Sequence, residues 1–229
     1  MSGDKRAADT FRLLWEAKES SRSSLSVGGI VEAAIALADA EGLGAVSMQR
    51  VAGELGYTAM ALYRHVPGKD QLVALMADRA QGAPPGESAQ EWRAEILNWA
   101  DAAWEFYLAH PWMLRVATTG APTGPNELAW FEALLRPLAR SGLAAENLVA
   151  TAMFVSSAVR DLARIATEIA PSGSDYGALL ARVVSPDRFP TLAALMASGA
   201  VEAEDDGDVR PALDFGLKLI LDGLKTHTS

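Results

Sequence analysis

Tyr63, Arg64 and His65 stand side by side, and Lys69 follows across Pro67-Gly68. An aromatic hydroxyl and three potential cations so close together suit contact with a polyanion. Tyr63 can pack on sugar and donate its hydroxyl to a phosphate. Arg64 or His65 can reach a phosphate or a base edge. Thr58, Ala59 and Met60 come just before them. The apolar surface of Ala59 and Met60 suits a thymine methyl better than a guanine edge. Lys69 opens a further helix, where free backbone N–H groups also favour phosphate. Yet the chain carries a net charge of −9, which argues against a surface that coats nucleic acid in general. Residues 1–81 hold 9 Lys and Arg against 10 Asp and Glu, and residues 82–229 hold 11 against 19. A nucleic-acid site must therefore be local, and the first third is the place for it.

The elements that would position these groups are helical. Ile30, Ala33, Ala34, Leu37 and Ala38 have the spacing of one buried helix face, and Gly42 supplies a stop. Ser47 is an N-cap for a second helix with Met48, Val51, Ala52 and Leu55 inward. Its capping box is incomplete, because Arg50 stands where Glu or Gln would reach back. Gly56 ends that helix, Thr58 caps a third, and Pro67-Gly68 limits it. A fourth runs from Lys69 through Leu72, Val73, Leu75 and Met76. A longer helix followed by two short ones across a glycine turn is a helix-turn-helix pattern. Its second short helix would lie in a DNA major groove. Leu62 and Val66 would hold that helix onto its neighbours, leaving its other side free.

Gly82-Ala83-Pro84-Pro85-Gly86 is the clearest breaker in the chain. It divides a flexible tail at 1–24 and a DNA-binding unit with its linking helix at 25–81 from a larger domain at 82–229. The whole chain reads as all-α. The larger domain opens with a long helix carrying Trp92, Ile96, Trp99, Ala103 and Phe106, broken at Pro111. Helices near 126–141, 145–169, 189–199 and 211–225 follow, with 171–188 read as irregular apart from one short turn. Leu148, Ala152, Val155, Val159, Leu162, Ala166 and Ile169 are spaced alternately four and three apart, a coiled-coil-like seam. In the last helix Leu213, Leu217, Ile220 and Leu224 form a stripe. Gly216 and Gly223 lie nearly on one face, which suggests close approach of another helix. These two helices are candidates for a homodimer interface, the alternative being that both seams pack within one protomer.

All six Trp residues lie outside the helix-turn-helix, five of them between 92 and 130. Aromatic-rich linings with a few polar groups suit small-molecule pockets, though aromatics at helical spacing also make ordinary core. Candidates with a polar handle are Trp104, Tyr107, His110, Asn126, Trp130, Ser157 and Arg160. Cysteine is absent, and no His/carboxylate cluster has ligand spacing, so no metal and no cofactor is expected. No hydrolase, zinc-protease or phosphate-loop motif is present, which argues against an enzyme. The first 30 residues hold no apolar signal core, and the longest charge-free stretches have 13 residues, as at 147–159. The expectation is a soluble cytoplasmic protein without a membrane span.

The run LSVGGIVEAAIALADAEGLGAVSMQRVAGELGYTAMALYRHVPGKDQLVALMADRA resembles the DNA-binding region of the tetracycline-repressor (TetR) family. The matching features are AA-x-x-L-A-x-x-EGL, VA-x-x-LG and LYRHVPGKDQL. The later segments HPWMLRV, GPNELAWFEALLRPL and DFGLKLILDGL resemble the subgroup whose C-terminal domain is like that of the tetracycline repressor itself. The resemblance implies a dimeric, ligand-responsive transcriptional regulator, most simply a repressor released from operator DNA by a small-molecule effector. It implies DNA contacts from Ser47, Gln49, Thr58, Ala59, Met60, Tyr63, His65 and Lys69, and a four-helix dimer interface. Family members often carry Arg where Gln49 stands, which makes guanine reading there less expected. Little histidine is available for a metal-chelated drug; a largely apolar or aromatic effector is expected instead. Two other readings stand beside this one: a DNA-binding regulator without an effector, and an all-α small-molecule carrier or enzyme.

Overall fold

The segment read as a flexible tail contains a helix, α1, at Ser2–Glu16. Phe11, Leu14 and Trp15 recur at i, i+3 and i+4, an apolar stripe too short to stand out beside the acidic and basic residues around it. Leu13 and Leu14 pack against the core of the N-terminal helical unit. The Trp15 indole N–H donates to the carbonyl of Thr123 at 2.9 Å, and its ring stacks on Phe11. The computed structural model describes residues 2–16, 25–86, 91–116, 123–169, 176–199 and 208–227, and among these all regular structure is helical. Arg22, a tail residue that the sequence offers for a minor groove, lies outside the described residues.

Side-chain caps set the starts of the next three helices. Ser26 accepts from the Gly29 amide, Ser47 from Arg50 and Thr58 from Ala61, each satisfying a donor that a helix start leaves unpaired. They open α2 at Val27–Glu41, α3 at Met48–Glu54 and α4 at Ala59–Tyr63. Gly42 and Gly56 end the preceding helices at φ of 81° and 73°, a region where a Cβ is strained. The linking helix, α5, runs Lys69–Gln81. Ile30, Val46, Val51, Leu62, Val66, Leu72 and Met76 form a fully buried core between α2 and α5.

The larger unit comprises α6 at Trp92–Ala109, a 3-10 turn at Pro111–Arg115 and α7 at Pro125–Arg140. Next come α8 at Ala145–Arg164, continued by a π-helical turn at Ile165–Ile169, and α9 at Tyr176–Val183, within the stretch read as irregular. α10 at Pro190–Ala197 and α11 at Arg210–His227 complete it. α6, α7, α8 and α11 enclose one core.

That core corrects the dimer candidates. Val155, Val159, Leu213, Leu217 and Leu224 are buried inside the protomer, as is Ala152. Leu162 is half-buried against the same core, and Ile220 is half-buried. Alternating spacing marks an apolar face but does not say whether a neighbour in the same chain or in another covers it. A second correction concerns the aromatic run after residue 92. Trp112 and Met113 pack into the core of the N-terminal unit, not the larger one. The 3-10 turn after α6 thus wedges one unit into the other.

Candidate DNA interface and effector domain

α4 is held by Ala61, Leu62 and, just beyond it, Val66. Its opposite side is bare. Met60 is 73% exposed and Tyr63 46%; Thr58 and Arg64 are exposed too, while Ala59 and His65 are half-buried. Gln49 on α3 is exposed, and Ser47 is half-buried because its hydroxyl caps the helix. Arg64 and Lys69 form no ion pair among the described residues, so their charge is available to an anion. Arg50 differs: it pairs with Glu41 at 2.6 Å and Glu54 at 3.5 Å. Its exposed guanidinium braces α2 to α3. Lys69 begins α5, whose N-terminus has no side-chain cap. Its first amides and the positive end of its dipole are therefore open to a phosphate. Tyr57 is 47% exposed beside this patch; sequence reasoning missed it because it lies in the turn.

The pocket candidates separate into four groups. Trp104 is a core residue, 5% exposed, with the Arg210 guanidinium over its ring at 5.6 Å. Arg210 is held there by Asp101 and Asp214. Ser157 is exposed on α8. His110, Asn126 and Trp130 join the two units. The His110 Nδ1 lies 2.7 Å from Asp39 Oδ1 of α2, and the Trp112 indole donates to the same oxygen at 2.6 Å. Asn126 is bound to Asp78 of α5. The Trp130 indole donates to the carbonyls of Gln81 and Gly82 at 3.1 Å each, satisfying the end of α5.

Tyr107 and Arg160 remain. Burial pushes the Tyr107 phenol up in pKa, opposed by the positive charge of Arg160. Phe106 lies against Tyr107 with ring centroids 5.1 Å apart. A polar pair among aromatics can orient an apolar ligand. A separate cleft of about 230 Å3 opens at the junction of the units, lined in part by Asp39, Pro111, Arg115 and Glu168. The Arg115–Glu168 ion pair, 3.0 Å long, closes one side. Among the described residues no group of three or more His, Asp or Glu could hold a metal ion. No helix among them is long and apolar enough to cross a membrane.

The outer faces of α8 and α11 are apolar. Val149, Met153 and Phe154 are 50–61% exposed on α8, and Phe215 and Leu219 are 64% and 56% exposed on α11. Among the described residues nothing lies within 4 Å of where a Cβ on Gly216 or Gly223 would project.

Comparison with known proteins agrees with this geometry. Residues 84–228 match the family described as "Tetracyclin repressor-like, C-terminal domain", and residues 30–76 match "Bacterial regulatory proteins, tetR family". The chain is 33% identical to the HTH-type transcriptional repressor DrrR1 of Streptomyces coeruleorubidus, over 98% of this chain and 87% of that one. It is similar to the TetR family protein ActR of Streptomyces coelicolor, solved with (S)-DNPA: TM-score 0.74, 27% identity, covering 90% of this chain and all of that one. ActR solved with actinorhodin gives the same TM-score and identity over 88% and 96% of the two chains. These matches run along nearly the whole chain, which belongs to the tetracycline-repressor family of ligand-responsive, helix-turn-helix transcriptional regulators.

Proposed function

We propose that this protein is a cytoplasmic repressor, not an enzyme, that binds operator DNA as a homodimer and is released by an apolar or aromatic small molecule. Residues 25–81 are the DNA-binding unit, with α1 packed on it, and residues 82–229 the effector and dimerisation unit. The observation that carries this reading is the bare side of α4. Met60 and Tyr63 stand out to solvent while Leu62 and Val66 are fully buried. In a major groove that side presents Thr58, Ala59 and Met60 to base edges, and Tyr63, Arg64, His65 and Lys69 to the backbone. Ser47 and Gln49 at the start of α3 flank it.

Two copies join through the exposed faces of α8 and α11, with Val149, Met153, Phe154, Phe215 and Leu219 at the centre. Gly216 and Gly223 allow a partner helix to come close. The effector lies among Phe106, Tyr107 and Arg160, with the guanidinium and phenol orienting a planar body. That ActR was solved with (S)-DNPA and with actinorhodin supports a small-molecule effector. The test is release. Duplex from upstream of the gene is bound, and a panel of polycyclic aromatic phenols and carboxylic acids is titrated in. Release by members of the panel, weakened in Arg160→Ala, is expected. Bound DNA that no compound dislodges would favour a regulator without an effector.

A further inference from the structure

Asp78 is a carboxylate only 6% exposed, near the end of the linking helix α5. It does the work of a missing cap. α7 begins at Pro125 after Gly124, which offers no side chain to its first amides. Asp78 Oδ1 accepts from the Asn126 amide at 2.8 Å and the Glu127 amide at 3.2 Å. Its Oδ2 accepts from Asn126 Nδ2 at 3.0 Å, and the same Nδ2 donates to the Asp78 carbonyl. The segment is fastened from two further sides. Glu127 Oε2 accepts from the amides of Thr123 and Gly124, and Trp15 of α1 donates to the Thr123 carbonyl. There is no slack. A Cβ on Gly124 would lie 2.1 Å from Asp78 Oδ1 and 2.7 Å from its Cγ.

The same helix reaches the DNA face. Lys69 is its first residue, and Asp78 lies nine positions further along the α-helix, a rigid span of about 14 Å. Any turn or shift of α5 that re-aims Lys69 must therefore move or break the fastening at α7. We infer that the Asp78–Gly124–Asn126 latch is the contact through which the DNA-bound state and the state of the effector domain are coupled. This rests on the regulator reading above. It assigns Asp78 a positioning role: it touches neither DNA nor effector. By linkage, coupling of two sites is reciprocal. DNA alone must then change the first turn of α7, with no effector present.

The experiment is amide hydrogen exchange on the full-length protein, with and without a duplex recovered by in vitro selection on it. In the wild type, the peptide covering residues 125–130 is expected to change its exchange rate when DNA binds. In Asp78→Asn and in Gly124→Ala that change is expected to be lost while DNA binding persists. Val155→Ala, a truncation in the core of the larger unit, is the control for stability loss alone and should keep the change. If the peptide does not respond to DNA in the wild type, the latch is not the conduit. The same conclusion follows if Asp78→Asn and Gly124→Ala still transmit the response; coupling then runs through Asp39, His110 and Trp112. Failure to recover any duplex would instead count against the regulator reading, and with it the latch.

Discussion

Single residues carry the binding chemistry and the sharpest tests of it. Lys69 forms no ion pair among the described residues and stands at an open helix start. Lys69→Ala is expected to weaken binding to all duplexes alike and to flatten the dependence of log affinity on log salt by about one. Binding titrations across a salt series read this, and an unchanged slope would remove Lys69 from the backbone contacts. Asp78 gives a pH test. Burial raises its pKa above the ordinary aspartate value, against the amides of Glu127 and Asn126, which lower it. A raised folded pKa means stability that is fully present below the unfolded value and is lost as pH rises through the folded one. Wild type should therefore gain stability relative to Asp78→Asn as pH is lowered from neutral into the carboxylate range. Denaturant titrations of both proteins across that range measure it, and a constant difference would contradict it. Neither Asp78 nor Gly124 was legible in the sequence. Nothing in either neighbourhood signals that residues 46 positions apart will meet, and a capping acid supplied from another helix leaves no local pattern.

At the scale of elements, the recognition unit was legible because its signals are local. Ser47 and Thr58 cap, Gly42 and Gly56 stop, and Leu62 and Val66 point inward at the predicted positions. The dimer seam was not legible in the same way. Val155, Val159, Leu213 and Leu217 have ideal spacing, and the protomer itself buries them. Periodicity identifies a face, and only packing identifies its partner. The residues left over, Val149, Met153, Phe154, Phe215 and Leu219, are the ones a second copy can cover. Leu217→Asp is thus expected to cost about 3–5 kcal/mol of stability by cutting a core contact and burying a charge. Phe154→Glu combined with Phe215→Glu should leave the protomer folded and make it monomeric. Sedimentation with circular dichroism separates the two effects. A double variant that sediments as a dimer would move the interface elsewhere. α1 is a further case: Phe11, Leu14 and Trp15 give one short stripe, and its packing on α5 depends on surfaces distant in sequence.

For the whole molecule, charge and architecture oppose each other. Each chain carries −9, so a dimer approaches DNA against its own field and relies on the few cations around α4 and the start of α5. Affinity must come from two such patches held at the spacing of successive major-groove turns, about 34–36 Å. The α5 to α7 fastening and the Trp112 wedge join the two units within each protomer. The most direct test of this account is fluorescence anisotropy on a labelled duplex from upstream of the gene, with excess competitor DNA, comparing wild type with Tyr63→Ala and with the Phe154→Glu, Phe215→Glu variant. The account predicts specific binding by the wild type that resists competitor, and its loss in both variants. Specific binding that survives both changes would contradict it, as would a wild-type protein that competitor DNA strips from every duplex tried, including those selected on it.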